Sequence, residues 1–326
     1  MSELYPLKFK TIFKDKIWGG QKIREILGKD FSPLSNCGET WELSGVKDNV
    51  SIVEGGTLDG IALPDLIDQY KGSLVGEKIY SRFGNEFPLL IKFIDANQDL
   101  SIQVHPGDDL AKSRHNSFGK TEMWYIIQAD VGAKLISGFN QAVTKEEYLK
   151  QFNNGFLMQI LNEEPVNADD VFFIPAGRVH TIGKGLLLAE IQQTSDITYR
   201  IFDFDRVDEQ GKKRELHVEE AMEAIDFNYY QNYKTPYPKL ENEPVKLVNC
   251  HYFITNLLNY TEDTIRNYKS LDSFVIFICL DGHCSLTHKD LIIQINKGET
   301  LLLPASIDFI KLETTSGYKL LEVYID

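Results

Sequence analysis

A repeated strand-and-turn signature constrains this chain more than any other feature. Asp170-Val-Phe-Phe-Ile-Pro-Ala-Gly177 is echoed by Glu299-Thr-Leu-Leu-Leu-Pro-Ala-Ser306. Upstream, Glu122-Met-Trp-Tyr-Ile-Ile-Gln-Ala-Asp130 is echoed by Ser273-Phe-Val-Ile-Phe-Ile-Cys-Leu-Asp281. Short apolar runs rich in Ile, Phe, Val and Leu, closed by Pro or Gly, read as strands. Strand–turn patterns also recur by chance in all-β chains, but a shared Pro-Ala turn in matched order favours a duplicated block. The first copy is longer by the length of a helical insertion after Gly138. The alignment sets Ser273 against Glu122 and, five residues after the shared Pro, Phe309 against His180. The reading is a mostly β chain made of two β-barrel halves. Residues 1–240 carry the N-terminal strands and an insertion near 141–162; residues 241–326 form the second half.

Local signals fill in this frame. Residues 1–60 read as short strands and turns. Pro64 opens a short helix to Tyr70. Strands are expected at 89–94, 100–104, 123–127, 134–137, 170–174 and 186–192. Thr144 with Glu147 forms a capping box at the start of the insertion, and Asn154-Gly155 breaks it before a second short helix. A helix is expected at 218–225 and a Pro-rich linker at 228–245, with strands beyond it.

The 326 residues are 43% hydrophobic, enough for one large core or two moderate ones, and carry a net charge of −14. A global anion is a poor partner for nucleic acid, although a local cluster of Lys and Arg can still bind a small anion. The four cysteines include no Cys-x-x-Cys pair, and no apolar run is long enough to span a bilayer. The expectation is a cytoplasmic protein with reduced thiols, bound to neither nucleic acid nor membrane.

Gln103 and His105 stand two apart in a strand, so both side chains lie on one face. Glu122 opens a following strand, and His180 follows the Ile174-Pro-Ala-Gly-Arg-Val turn. Inward positions of adjacent strands converge in a small barrel. Two imidazoles, a carboxylate and an amide oxygen suit zinc or another first-row ion. Lys120, Glu190 and Arg200 are candidates for a base and an anion clamp. Each is otherwise an ordinary solvated charge, and spacing alone favours that plainer role.

At these residues the chain resembles class I mannose-6-phosphate isomerase in its short bacterial form. The resemblance rests on Ile17-Trp-Gly-Gly20, Gly38-Glu-Thr-Trp-Glu-Leu-Ser44, Pro88-Leu-Leu-Ile-Lys92, Leu100-Ser-Ile-Gln-Val-His-Pro-Gly107, Gly119-Lys-Thr-Glu-Met-Trp124, Ile174-Pro-Ala-Gly-Arg-Val-His-Thr181 and Gln192-Gln-Thr-Ser-Asp-Ile-Thr-Tyr-Arg200. It implies a double-cupin fold with one Zn2+ per chain, in the first half only. The implied ligands are Gln103, His105, Glu122 and His180. The implied substrate-site residues are Trp18, Ser101, Lys120, Glu190 and Arg200. The implied activity interconverts two sugar phosphates, mannose 6-phosphate and fructose 6-phosphate, through an enediol(ate), with Glu190 or Lys120 as base. Longer relatives carry His-Lys-Pro-Glu where this chain has Gly119-Lys-Thr-Glu122, so no role given to that His transfers. The alternatives are an iron or manganese cupin oxygenase and a non-catalytic sugar-binding cupin.

Overall fold

The computed structural model describes residues 3–207 and 210–326. Two sheets face each other in the first half. One has six strands in the order Val171–Ile174, Glu122–Ala129, Leu186–Gln193, Leu89–Ala96, Glu39–Leu43, Ile12–Lys14. The other has five, in the order Tyr199–Phe202, Ile102–Val104, His180–Ile182, Lys134–Phe139, Leu161–Pro165. Trp18, Ile94, Trp124, Ile126, Leu135, Phe172, Ile182 and Leu188 pack between them. Strands Leu89–Ala96 and Leu186–Gln193 are buried along their whole length, which is why they read as near-continuous apolar runs.

The second half is one curled eight-stranded sheet. Its longest strand, Val275–His288, bends at a register shift between Cys279 and Asp281 and pairs with different partners on either side of the bend. Leu258, Phe277, Leu286, Ile295, Leu301, Leu312 and Leu320 fill its interior. A third and largest apolar cluster takes residues from both halves, including Leu7, Phe93 and Tyr125 with Phe253, Ile276, Leu302 and Val323.

The capping box forms as read. Thr144 accepts from Glu147 N, and the Glu147 carboxylate accepts from Thr144 N, opening helix Lys145–Asn153. A 3-10 turn at Leu157–Gln159 follows the Asn154-Gly155 break. Helices Leu63–Tyr70 and Val218–Ala224 stand close to their expected places. Helices Gly72–Val75, Glu77–Phe83 and Asp108–His115 were not expected. No helix among the described residues is long and apolar enough to cross a membrane.

Strand register corrects the alignment of the two halves. Ile174 and Leu303 both precede the shared Pro. Ile174 lies opposite Glu122, but Leu303 lies opposite Val275, two residues beyond Ser273. The counterpart of Glu122 is therefore Val275. The match set at Phe309 fails on facing, since Phe309 is 48% exposed while His180 is fully buried. The corrected register brings out a deeper repeat. Glu190 lies opposite Trp124 as Glu322 lies opposite Phe277, and both carboxylates are buried.

Candidate metal centre and adjoining cavity

The antiparallel ladder of the six-stranded sheet places side chains in rows. Trp41, Lys92, Glu190 and Trp124 are successive partners across four strands, so all four share one level of one face. Trp124 Nε1 donates to Glu190 Oε2 at 2.9 Å, and Lys92 Nζ lies 3.1 Å from Glu190 Oε1. Lys92 also donates to Gln192 Oε1 at 2.8 Å and stands 5.4 Å from the Trp41 ring centroid. Burial opposes both charges, yet mutual attraction prevails: Glu190 is held below the usual carboxylate range and Lys92 above the usual amine range.

Glu122 lies two residues before Trp124 and faces the same way. Its Oε1 is 3.4 Å from His180 Nε2, and its Oε2 is 3.6 Å from His105 Nε2. Gln103 reaches in from the other sheet, where it pairs directly with His180, and its Nε2 is 3.3 Å from His180 Nε2. A half-turn of that amide exchanges its nitrogen for Oε1. Ser101 Oγ lies 3.5 Å from Gln103 Oε1.

The imidazoles are aimed through their second nitrogens. His105 Nδ1 is bonded to the Ile197 carbonyl at 2.9 Å and His180 Nδ1 to the Arg178 carbonyl at 2.8 Å. Each Nδ1 therefore carries the proton, and each Nε2 presents a lone pair inward. Burial lowers His180 to about 4 and takes His105 well below its ordinary value, so both rings are neutral. Burial, reinforced by the Glu190 charge, raises Glu122 to about 8.

His105 Nε2 and both oxygens of Glu122 are buried without a hydrogen-bond partner. Orphaned acceptors of this kind are costly unless something electropositive binds between them. One ligand atom from each of His105, Glu122 and His180 lies within 4.8 Å of the others. The Glu122 carboxylate stands 3.4 Å from one imidazole nitrogen and 3.6 Å from the other through its two oxygens, close enough for one divalent ion to bind among them. The donor set fits a divalent ion.

A cavity of about 470 Å³ opens beside these residues. Trp18, Ser101, Gln103, Lys120, Glu190 and Arg200 all line it. Lys120 precedes the strand that Glu122 opens, and its Nζ lies 3.8 Å from Glu122 Oε2. Burial and the neighbouring Lys92 lower its pKa. Trp18 is held by its own backbone: its carbonyl accepts from Asn97 N and Gln98 N. The turn behind it needs glycine, because a Cβ on Gly20 would stand 2.6 Å from Asp95 Oδ2.

Sequence reasoning gave no role to Lys14, Glu39, Trp41, Lys92, Asp196 or Arg214, which also line the cavity. A signal existed for Lys92, a charged residue within an apolar strand run. Asp196 stands four before Arg200 in an already quoted motif. Arg214 had no signal, since no local pattern ties it to the cavity.

Residues 6–125 match the model for the catalytic domain of type I phosphomannose isomerase, and residues 244–324 match that for the mannose-6-phosphate isomerase cupin domain. The mannose-6-phosphate isomerase ManA of Bacillus subtilis is 35% identical over 317 residues, covering 94% of this chain and 96% of the relative. The chain belongs to the type I phosphomannose isomerase family. Mannose-6-phosphate isomerase of Streptococcus mutans is 34% identical, covering 93% of each chain. A crystal structure of mannose 6-phosphate isomerase from Bacillus subtilis superposes with a TM-score of 0.88 at 30% identity, over 98% of this chain and 99% of the other. A mannose 6-phosphate isomerase bound with zinc and yttrium shares the fold at a TM-score of 0.79 and 17% identity, over 98% of this chain and 99% of the other. The family and the double-cupin fold expected from the motifs therefore hold.

Proposed function

We propose that this family member interconverts mannose 6-phosphate and fructose 6-phosphate at a single zinc ion held by Gln103, His105, Glu122 and His180. The observation that carries the reading is the set of unpartnered buried acceptors on His105 and Glu122, next to a cation-rich cavity that Gln103 and Lys120 line. Residues 1–240 and 241–326 are the two cupin halves in this reading, with the chemistry in the first.

When bound, the ion supplies fixed positive charge beside the sugar oxygens. Glu190 is the base. It is ionised at neutral pH and held on two sides by Lys92 and Trp124, so its carboxylate keeps one orientation. It takes the proton from C2 of the open-chain aldose and returns it to C1, while the hydroxyl proton on O2 passes to O1 by way of Lys120. Lys120 stands between Glu122 and the cavity and hydrogen-bonds the enediolate oxygens as charge develops on them. Trp18 and Trp41 wall the cavity and limit water around the enediolate.

A coupled assay with mannose 6-phosphate, run beside metal analysis of the same sample, tests the reading. Chelation is expected to abolish turnover and zinc to restore it. Full turnover by metal-free protein would refute the metal role.

A further inference from the structure

One side chain of the second half reaches the loop between two of the ligands. His105 and Glu122 stand at the two ends of residues 106–121, an excursion that includes helix Asp108–His115. Its ends must come together before both ligands can face one ion. Asp108 closes it. Asp108 Oδ1 accepts from Gly119 N at 2.9 Å, and Lys120 N donates to the Pro106 carbonyl at 3.1 Å. The approach is close enough to need glycine, since a Cβ on Gly119 would stand 2.6 Å from Asp108 N.

A neighbouring strand end joins the closure. Gln193 follows Gln192, the strand partner of Glu122. Gln193 Nε2 donates to Asp108 Oδ1 at 2.9 Å, and Gln193 Oε1 accepts from Thr121 N at 2.9 Å. Its backbone N donates to the Thr121 carbonyl at 3.1 Å. The side-chain amide has one orientation, because exchanging its nitrogen and oxygen would break both side-chain bonds. The backbone amides of Gly119, Lys120 and Thr121 are therefore all engaged, and Lys120 is fixed from both sides.

Tyr252 completes the set from the second half. Its hydroxyl donates at 2.8 Å to Asp108 Oδ2, the oxygen that Gly119 and Gln193 leave free. Burial, and then the bond to Asp108, push that hydroxyl up to about 12, so it stays a donor at neutral pH. Burial opposes the charge on Asp108, but the bonds from Gln193, Gly119 and Tyr252 hold it below the usual carboxylate range. All three side chains line a second cavity of about 910 Å³, and none of them lines the substrate cavity. They can act on the reaction only through the residues they hold.

We propose that Tyr252, Asp108 and Gln193 form a positioning relay by which the second half sets the place of Lys120 in the substrate cavity. The relay rests on the isomerase reading, in which Lys120 serves the enediolate oxygens. Loosening it leaves zinc and sugar bound but displaces the ammonium that meets the developing charge. The loss then falls on kcat rather than on KM. The second cupin has a duty in catalysis without supplying a ligand.

The test uses the zinc-loaded full chain, with zinc content and melting measured on each sample beside the coupled assay. Tyr252→Phe removes one hydroxyl, and Gln193→Met removes both side-chain bonds at similar volume. Each is expected to keep its zinc and to lose about tenfold in kcat, while KM for mannose 6-phosphate changes far less. Asp108→Asn keeps an oxygen for Gly119 and Gln193 and can donate to Tyr252, so it retains kcat that Asp108→Ala loses. In the double variant Tyr252→Phe with Gln193→Met the two losses do not multiply, because both break one relay. Unchanged kcat in folded, zinc-loaded Gln193→Met would overturn the relay. So would losses that multiply in the double variant, a rise in KM with kcat held, or a loss of zinc that accounts for the whole fall. Wild-type protein that holds zinc but does not turn over mannose 6-phosphate would instead overturn the isomerase reading.

Discussion

Removing the metal ought to convert Glu122 from a ligand into a neutral acid, and the size of that change follows from the site. In the metal-free protein Glu122 is raised to about 8, while His180 is lowered to about 4 and His105 well below its ordinary value. At pH 7 the three groups then hold about 0.9 proton between them, all of it on Glu122. Zinc takes the carboxylate and two neutral imidazoles, so loading releases about 0.9 proton at pH 7, about half at pH 8 and about a tenth at pH 9. Titration calorimetry of chelator-stripped protein with zinc, in two buffers of different ionisation enthalpy at each pH, measures the release directly. Release near zero at pH 7 would mean that Glu122 is already ionised. Release well above one would mean that an imidazole was charged. Either result refutes the burial argument. The stability of the metal-free protein has a matching slope. The folded-state pKa of Glu122 lies above the ordinary glutamate value of 4.5, so its contribution is complete below pH 4.5 and is lost as pH rises through 8. By pH 7 the loss approaches about 3 kcal/mol, and zinc-loaded protein lacks that slope.

Three further outcomes are expected. Glu190→Gln keeps the side-chain shape but removes the base, so kcat falls by about a thousandfold while zinc content holds; retention of kcat in the coupled assay removes Glu190 from the reaction. Asp95 is buried and raised to about 6, chiefly by desolvation. Its favourable contribution is complete below about pH 4 and lost as pH rises through 6, so Asp95→Asn should stabilise the protein at pH 8 by at most about 3 kcal/mol and do little at pH 4. Urea melts at the two pH values decide it. In the second half, Glu322 accepts from Arg266, Tyr268 and Asn256. Glu322→Gln strands a largely buried guanidinium and should cost about 3 kcal/mol without changing the zinc stoichiometry; an unchanged melt would show that the ion pair adds no net stability.

The parts of this fold legible in the sequence are those fixed by short-range rules. The Thr144–Glu147 box, Pro64 at a helix start and the apolar strand runs depend on neighbours within a few residues. Gln103 and His105 were placed on one face by strand periodicity alone. Their convergence with Glu122 and His180 was legible only as a possibility until the family motifs supported it, because convergence across sheets depends on register, which local pattern does not set. The same limit explains the misaligned repeat: Ser273 and Val275 lie on the same face of one apolar stretch, and only the pairing of Leu303 decides between them. Lys14 and Glu39 were missed for the same reason, since it is their direct pairing across neighbouring strands that brings them to the cavity, and no local pattern points to Arg214.

The backbone of Leu7 exchanges two hydrogen bonds of 2.8 Å with Leu302. The strand that leads from Leu7 toward Lys14 and Trp18 is thus anchored on the second half, near the far end of the chain. During synthesis this segment emerges long before its partner is made. The first cupin can gather its strands, Ile12–Lys14 among them, while the ribosome is still at work, but the stretch at Leu7 stays unpaired until Leu302 has been made. A ribosome stalled short of Leu302 would therefore hold a nearly complete first barrel whose Leu7 stretch is not yet fastened to the second half.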